Sequence, residues 1–154
     1  MAPAKPVAEK HRKYFSVDEA NRSLPLVKAI VEDIVRQSRR VENLQERLRR
    51  VLREPRRRFD DLYSEELAQT QSELEVEEEK LQTYSDELKS LGVELKSDED
   101  GLCDFRCIMN GREVFLCWRL GEPEVMFWHE LDAGFAGRQS ISSHAGAKLA
   151  DKRL

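Results

Sequence analysis

GLCDFRCIMNGREVFLCWR, residues 101–119, decides the fold. Two runs of eight or nine residues, each able to place alternate side chains on opposite faces, flank the dipeptide Asn110-Gly111. Asn-Gly tolerates the positive φ angles of a type I′ turn, so the stretch reads as a β-hairpin with Gly101–Met109 in one strand and Arg112–Arg119 in the other. A two-residue turn pairs Cys103 with Trp118, Asp104 with Cys117 and Cys107 with Val114. Cys103 and Cys107 then point to one face and Cys117 to the other. Downstream, Leu120-Gly121-Glu122-Pro123 is a second turn, Glu124–Glu130 a third strand, and Gly134, Phe135 and Gly137 mark an ordered return segment. Upstream, Val93–Lys96 is a candidate edge strand, followed by the acidic loop Ser97–Asp100.

Before residue 93 the period is helical. Ser16 followed by Glu19 has capping-box spacing, so a helix opens near Val17, and Pro25 predicts a kink or restart. Val27, Ile30, Ile34, Val41, Leu44, Leu48 and Val51 form a heptad seam with Gln37 its polar interruption. Glu54-Pro55-Arg56 ends it. A second seam runs through Tyr63, Leu67, Leu74, Leu81, Tyr84, Leu88 and Leu91, with Asp60, Thr70 and Glu77 at seam positions, and stops at Gly92. Together these predict an α+β chain: a long antiparallel coiled-coil hairpin over residues 14–92, then a three- or four-stranded antiparallel β module over 93–139. Residues 1–13 read as a disordered arm and 140–154 as a flexible tail. Charge suggests a register with Arg40 beside Glu73, Arg47 beside Glu66 and Asp33 beside Lys80, although such exposed pairs stabilise by only ~0–1 kcal/mol each. Off-seam Val31, Val35, Leu52, Leu62 and Val76 need cover from the sheet or from another subunit.

Composition narrows the function classes. In 154 residues, 36% are charged, with 26 Lys and Arg against 30 Asp and Glu. That share favours long solvated helices over the core of a large hydrolase. The longest apolar run, Val114–Trp118, is far short of the ~20 residues of a membrane span, and MAPAKPVAEKHRKYF holds no apolar signal-peptide core. A soluble cytoplasmic protein is expected. Three cysteines within residues 103–117 do not make a secreted disulfide scaffold. From Arg36 to Arg58 there are ten arginines and three glutamates, but nine acidic residues and no basic one fill Asp60–Glu79 alongside. The fields largely cancel and nucleic-acid binding is disfavoured; Arg56, Arg57 and Arg58 at the apex remain as a candidate partner-binding cluster.

At the strands, Gly101-Leu102-Cys103-Asp104-Phe105, Leu116-Cys117-Trp118, Gly121-Glu122, Trp128-His129 and Gly134-Phe135 with Arg138, together with Tyr14-Phe15-Ser16 and Glu19-Ala20-Asn21, resemble the uncharacterised bacterial family catalogued as domain of unknown function 2203. The resemblance covers about Tyr14 to Ile141. It implies no activity, but it matches at Asp104, Cys117, Glu122, His129 and Arg138, the candidate catalytic residues, whereas Cys103 and Cys107 fall outside its pattern.

A zinc cluster of all three cysteines with His129 and His144 is disfavoured by the spacing and by the opposed faces, so no metal or cofactor is expected and the cysteines read as small buried apolar groups. Asp104 beside Cys117 raises the thiol pKa unless an arginine such as Arg106, Arg119 or Arg138 offsets it. His129-Glu130 lacks the second histidine of a zinc-protease helix. Trp118, Phe105, Leu116, Val125 and Phe127 read as one core face. The leading functional expectation is a non-enzymatic interaction or scaffold protein presenting its hairpin to a protein partner or a second copy. The alternative is an enzyme or metal-binding protein with its site on the β module, for which convergence of the five polar residues would speak.

Overall fold

A computed structural model describes residues 12–54 and 61–141. Helix α1 (Val17–Leu52) and helix α2 (Asp61–Ser90) pack against each other and lead into a five-stranded antiparallel sheet: β1 (Val93–Ser97), β2 (Leu102–Met109), β3 (Arg112–Arg119), β4 (Phe127–Glu130) and β5 (Gln139–Ser140), in sequential order. The α+β class and the helical hairpin are as the sequence implied. The three arginines Arg56, Arg57 and Arg58, like the proposed N-terminal arm up to His11 and the tail from Ser142, lie outside the described residues.

The capping box at the start of α1 forms as read: Glu19 N donates to Ser16 Oγ at 3.0 Å and Ser16 N to Glu19 Oε1 at 2.9 Å. Pro25 does not interrupt α1, which runs through it for 36 residues. Pro25 itself is exposed while Leu24 and Val27 on either side are buried, so packing carries the helix past the one missing N–H.

The charge-derived register is overturned. Arg40 lies 3.1 Å from Glu77 and Arg47 lies 3.4 Å from Glu73, a helical turn or more from the expected partners. Asp33 pairs with Arg36 on its own helix, and Lys80 approaches Glu77. The reason is inside the seam. Gln37 Nε2 donates to Glu77 Oε1 at 2.6 Å and to the Glu77 carbonyl at 2.9 Å. In the expected register Gln37 would have faced Leu74 and Glu77 would have faced Ile34. Leaving a covered polar group without a partner costs more than an exposed ion pair returns, so the two polar interruptions find each other and set the register.

The Asn110-Gly111 turn has φ of 53° and 80°, and every cross-strand pair expected of the hairpin is present, including Cys103 with Trp118 and Asp104 with Cys117. The candidate edge strand forms as β1, with an irregularity between Leu95 and Ser97, and the sheet has one strand more than the three or four expected, because β5 is only two residues long. β4 is shorter than read. Pro123 cannot donate to a ladder, and the Val125 N–H is taken by Asn21 Oδ1 of α1 at 2.7 Å, which diverts the chain before Phe127.

The core lies between one sheet face and the hairpin: Phe105, Leu116, Trp118 and Trp128 meet Val27, Val31, Val35 and Leu88. Phe127 is corrected: it pairs with Cys117 and shares the opposite face. Gly101 sits between Leu120 and α1, with φ of 69°, where a Cβ would meet Leu120 Cβ at 2.7 Å and Val31 Cγ1 at 3.0 Å. Gly101→Ala is therefore expected to destabilise the protein by about 2–3 kcal/mol, from the unfavourable positive φ and overpacking together. Urea denaturation checks this; a loss below about 0.5 kcal/mol would mean that helix and sheet separate freely there.

Candidate functional site

With the hairpin on one side of the sheet, the other face should be wet. Alternation sends Asp104 and Arg106 of β2, Phe115 and Cys117 of β3, and Phe127 and His129 of β4 to that outer face. Yet Asp104, Phe115, Cys117 and His129 are each at most 5% exposed. Long side chains roof them. The Arg138 guanidinium lies 4.0 Å from the Phe127 ring and 4.5 Å from Phe135, while Lys96 and Arg106 stand 5.1 and 4.9 Å from the ring of Phe115. The 3₁₀ turn Phe135–Gly137 delivers Arg138 to this position.

Beneath the roof, His129 Nε2 lies 3.1 Å from both oxygens of Asp104. Its Nδ1 lies 2.7 Å from the Glu130 carbonyl, which can only accept, so Nδ1 carries a proton and Nε2 faces the carboxylate. A contact of that length between an imidazole nitrogen and a carboxylate calls for one proton, carried by either group. Burial pushes the Asp104 carboxyl up, with His129 partly offsetting it. Cys117 Sγ completes the cluster: sulfur, imidazole nitrogen and carboxylate oxygen all lie within 4.8 Å of one another.

Arg138 extends the cluster outward. It grips Glu122 with two hydrogen bonds, Nη1 to Oε2 at 2.6 Å and Nη2 to Oε1 at 2.9 Å, and its Nη2 also reaches the Cys117 carbonyl at 3.3 Å. Arg119 N donates to Glu122 Oε1 at 2.9 Å, and Trp118 Nε1 donates to the Glu122 carbonyl at 3.0 Å. Burial alone would push the Glu122 carboxyl up, but Arg138 and the Arg119 amide hold it below the usual carboxylate range.

All five candidate residues are thus brought together, in the order His129, Asp104, Cys117, Arg138, Glu122. Phe115, Phe127, Phe135 and Lys96 belong to the site and were not among its expected members. For Phe115 the signal was available in parity, since it shares its strand face with Cys117. One surface groove of about 490 Å³ runs along the hairpin, and another of about 630 Å³, beside Gly92, reaches the site only at Arg106.

The arrangement limits the chemistry. A cysteine nucleophile needs a free base that takes the thiol proton, whereas here both ring nitrogens of His129 are engaged, Nδ1 by the Glu130 carbonyl and Nε2 by Asp104. Burial, reinforced by Asp104, pushes the Cys117 thiol up to about 12 despite Arg138. At neutral pH the thiol therefore keeps its proton. Cys103 and Cys107, on the helix-facing side, are likewise raised by burial, to about 12 and about 11. What the outer cluster does offer is three ligand types of metal chemistry, with the histidine already oriented by its second nitrogen.

Residues 13–141 match the family described as Uncharacterized conserved protein (DUF2203), and the chain belongs to that family. No curated protein and no solved structure matches the chain.

Proposed function

We propose that this family member is a cytoplasmic, non-enzymatic interaction protein whose hairpin pairs with the hairpin of a second copy. The observation carrying the reading is the exposure of apolar side chains along the part of the arm that the sheet does not reach. The core shared with the sheet takes α1 residues only as far as Val35, so Val31 and Val35 are buried while the other off-seam residues stay open: Leu52 at 52%, Leu62 at 65% and Val76 at 49% exposure. About 17 residues of α1 continue past that point, ~25 Å of helix. Leu62 and Val76 are fourteen residues apart, four turns along nearly one face of α2.

Charge favours a second copy as the partner. The arm's α1 edge from Arg36 to Glu54 carries seven arginines and three glutamates, and its α2 edge from Asp61 to Glu79 carries eight acidic residues and no basic one. A two-fold axis between copies lays the basic edge of each against the acidic edge of the other, with the open leucines and valines between, in the manner of a four-helix bundle. Three unpaired cysteines suit a reducing compartment, and no described helix is long and apolar enough to cross a membrane.

Light scattering on the eluting protein tests this. The wild type is expected at twice the 17.9 kDa chain mass, and Leu62→Glu with Val76→Glu at the single-chain mass with an unchanged helical circular-dichroism spectrum. A wild-type monomer at all accessible concentrations, or a double variant that stays dimeric, would contradict the reading.

A second reading, an enzyme working from the β module, has the convergence of the five residues in its favour. The protonated thiol weighs against nucleophilic catalysis, and the cluster's other capacity is considered next.

A further inference from the structure

We propose that Asp104, Cys117 and His129 form a binding site for one divalent transition-metal ion of zinc type, on the outer face of the sheet. This goes beyond the interaction reading and does not depend on it.

Four features converge. The donor set joins a thiol, an imidazole and a carboxylate, the three protein ligand types that zinc takes. The donors lie within 4.8 Å of one another, and Nε2 to Asp104 oxygen is already 3.1 Å. Ligands of a tetrahedral zinc stand about 3.3–3.8 Å apart, so small side-chain adjustments bring all three onto one ion. Second, Nδ1 of His129 is committed to the Glu130 carbonyl, which fixes the ring and leaves Nε2 as the ligating atom.

Third, charge balances. Without metal, the one proton between them keeps Asp104 and His129 jointly neutral and the thiol is neutral. With a divalent ion, a carboxylate, a thiolate and a neutral imidazole again sum with the metal to zero, after the thiol proton and that one have left for solvent. A buried site, with all three ligands no more than 2% exposed, tolerates that exchange because no net charge is buried in either state. Fourth, what stands beside the cluster on this face is side chains, the Arg138, Lys96 and Arg106 cations on the rings of Phe127 and Phe115, so an ion needs side-chain movement and no opening of the sheet. Arg138, beside Cys117, is placed to support the thiolate once the proton has gone. Three protein ligands leave one position of a tetrahedral ion for water or another small ligand.

Cobalt(II) is the probe, because thiolate ligation gives it a near-ultraviolet charge-transfer absorption. The 154-residue chain freed of metal by chelator should take up one Co²⁺ per chain with that absorption, and Zn²⁺ should displace it and raise the thermal midpoint. Cys117→Ser should abolish the band, while Cys103→Ser and Cys107→Ser, on the opposite face, should retain it. Asp104→Asn and His129→Gln should each weaken uptake at least tenfold. No stoichiometric uptake of Co²⁺ or Zn²⁺, a band that survives Cys117→Ser, or a band lost with Cys103→Ser or Cys107→Ser would overturn the site. If Cys117→Ser fails to fold by circular dichroism, Asp104→Asn decides, since it keeps the side-chain outline: unchanged uptake there overturns the proposal.

Discussion

Trp118→Ala is expected to lower the unfolding free energy by about 3–5 kcal/mol, the range for removing a large aromatic from a packed core. Trp118 is fully buried against the helices, and its neighbours Phe105 and Leu116 are buried as completely, so little local collapse can refill the space. The indole does a second thing: Nε1 holds the Glu122 carbonyl at 3.0 Å and so anchors the turn that presents Glu122 to Arg138. A domain of this size has only about 5–15 kcal/mol to lose, so the variant should be partly unfolded at 37 °C. Trp118→Phe, which keeps most of the ring volume and loses the donor, should cost distinctly less. Urea denaturation of the three proteins checks the order; equal midpoints would mean that the sheet does not pack on the hairpin through this residue.

Arg138→Ala carries the second large effect. The guanidinium and the Glu122 carboxylate are only 13% and 19% exposed, and the substitution leaves that carboxylate without its partner and uncovers Phe127. Complete burial would make the loss 3–5 kcal/mol; this partly covered pair should lose about 2–3 kcal/mol. Its pH dependence has a definite sign. Glu122 is held below the ordinary glutamate value, so its pairing contributes fully above about pH 4.5 and is lost as the pH falls through the depressed value of the folded state. The difference between wild type and Arg138→Ala should therefore be largest at neutral pH and shrink near pH 3. Asp104 is shifted the opposite way, but it is present in both proteins and largely cancels from the difference. Unfolding measured with chelator at both pH values tests this, and a difference that does not shrink would mean that packing of Arg138 on the rings, and not its charge, holds the turn. Arg138→Lys should fall between, since a lysine keeps the charge and loses the two-pronged grip.

The hairpin, the capping box and the strand pairing were legible because each has a local code: a seven-residue period, a three-residue spacing, the Asn-Gly dipeptide. The helix register was not. Charge matching proposed one register on energies of a fraction of a kcal/mol per pair, while the buried contact of Gln37 with Glu77 outweighed them. Treating the polar seam residues as mutual partners, instead of as interruptions, would have found it. For the site, strand parity was enough to separate Cys117 from Cys103 and Cys107 and to pair it with Asp104. Parity could not bring in Arg138, which arrives through a turn of no periodic signal, nor show that Phe127 belongs to the outer face. That last point depended on where β4 begins, which Asn21 of α1 decides from 104 residues away.

Sedimentation equilibrium of the 154-residue chain over a range of salt is the most direct test of the hairpin as a self-pairing arm. The expected result is a dimer at low ionic strength whose dissociation constant rises as salt screens the facing basic and acidic edges, with the apolar contact of Leu52, Leu62 and Val76 persisting beneath. A mass of one chain, 17.9 kDa, at every salt and protein concentration would contradict it.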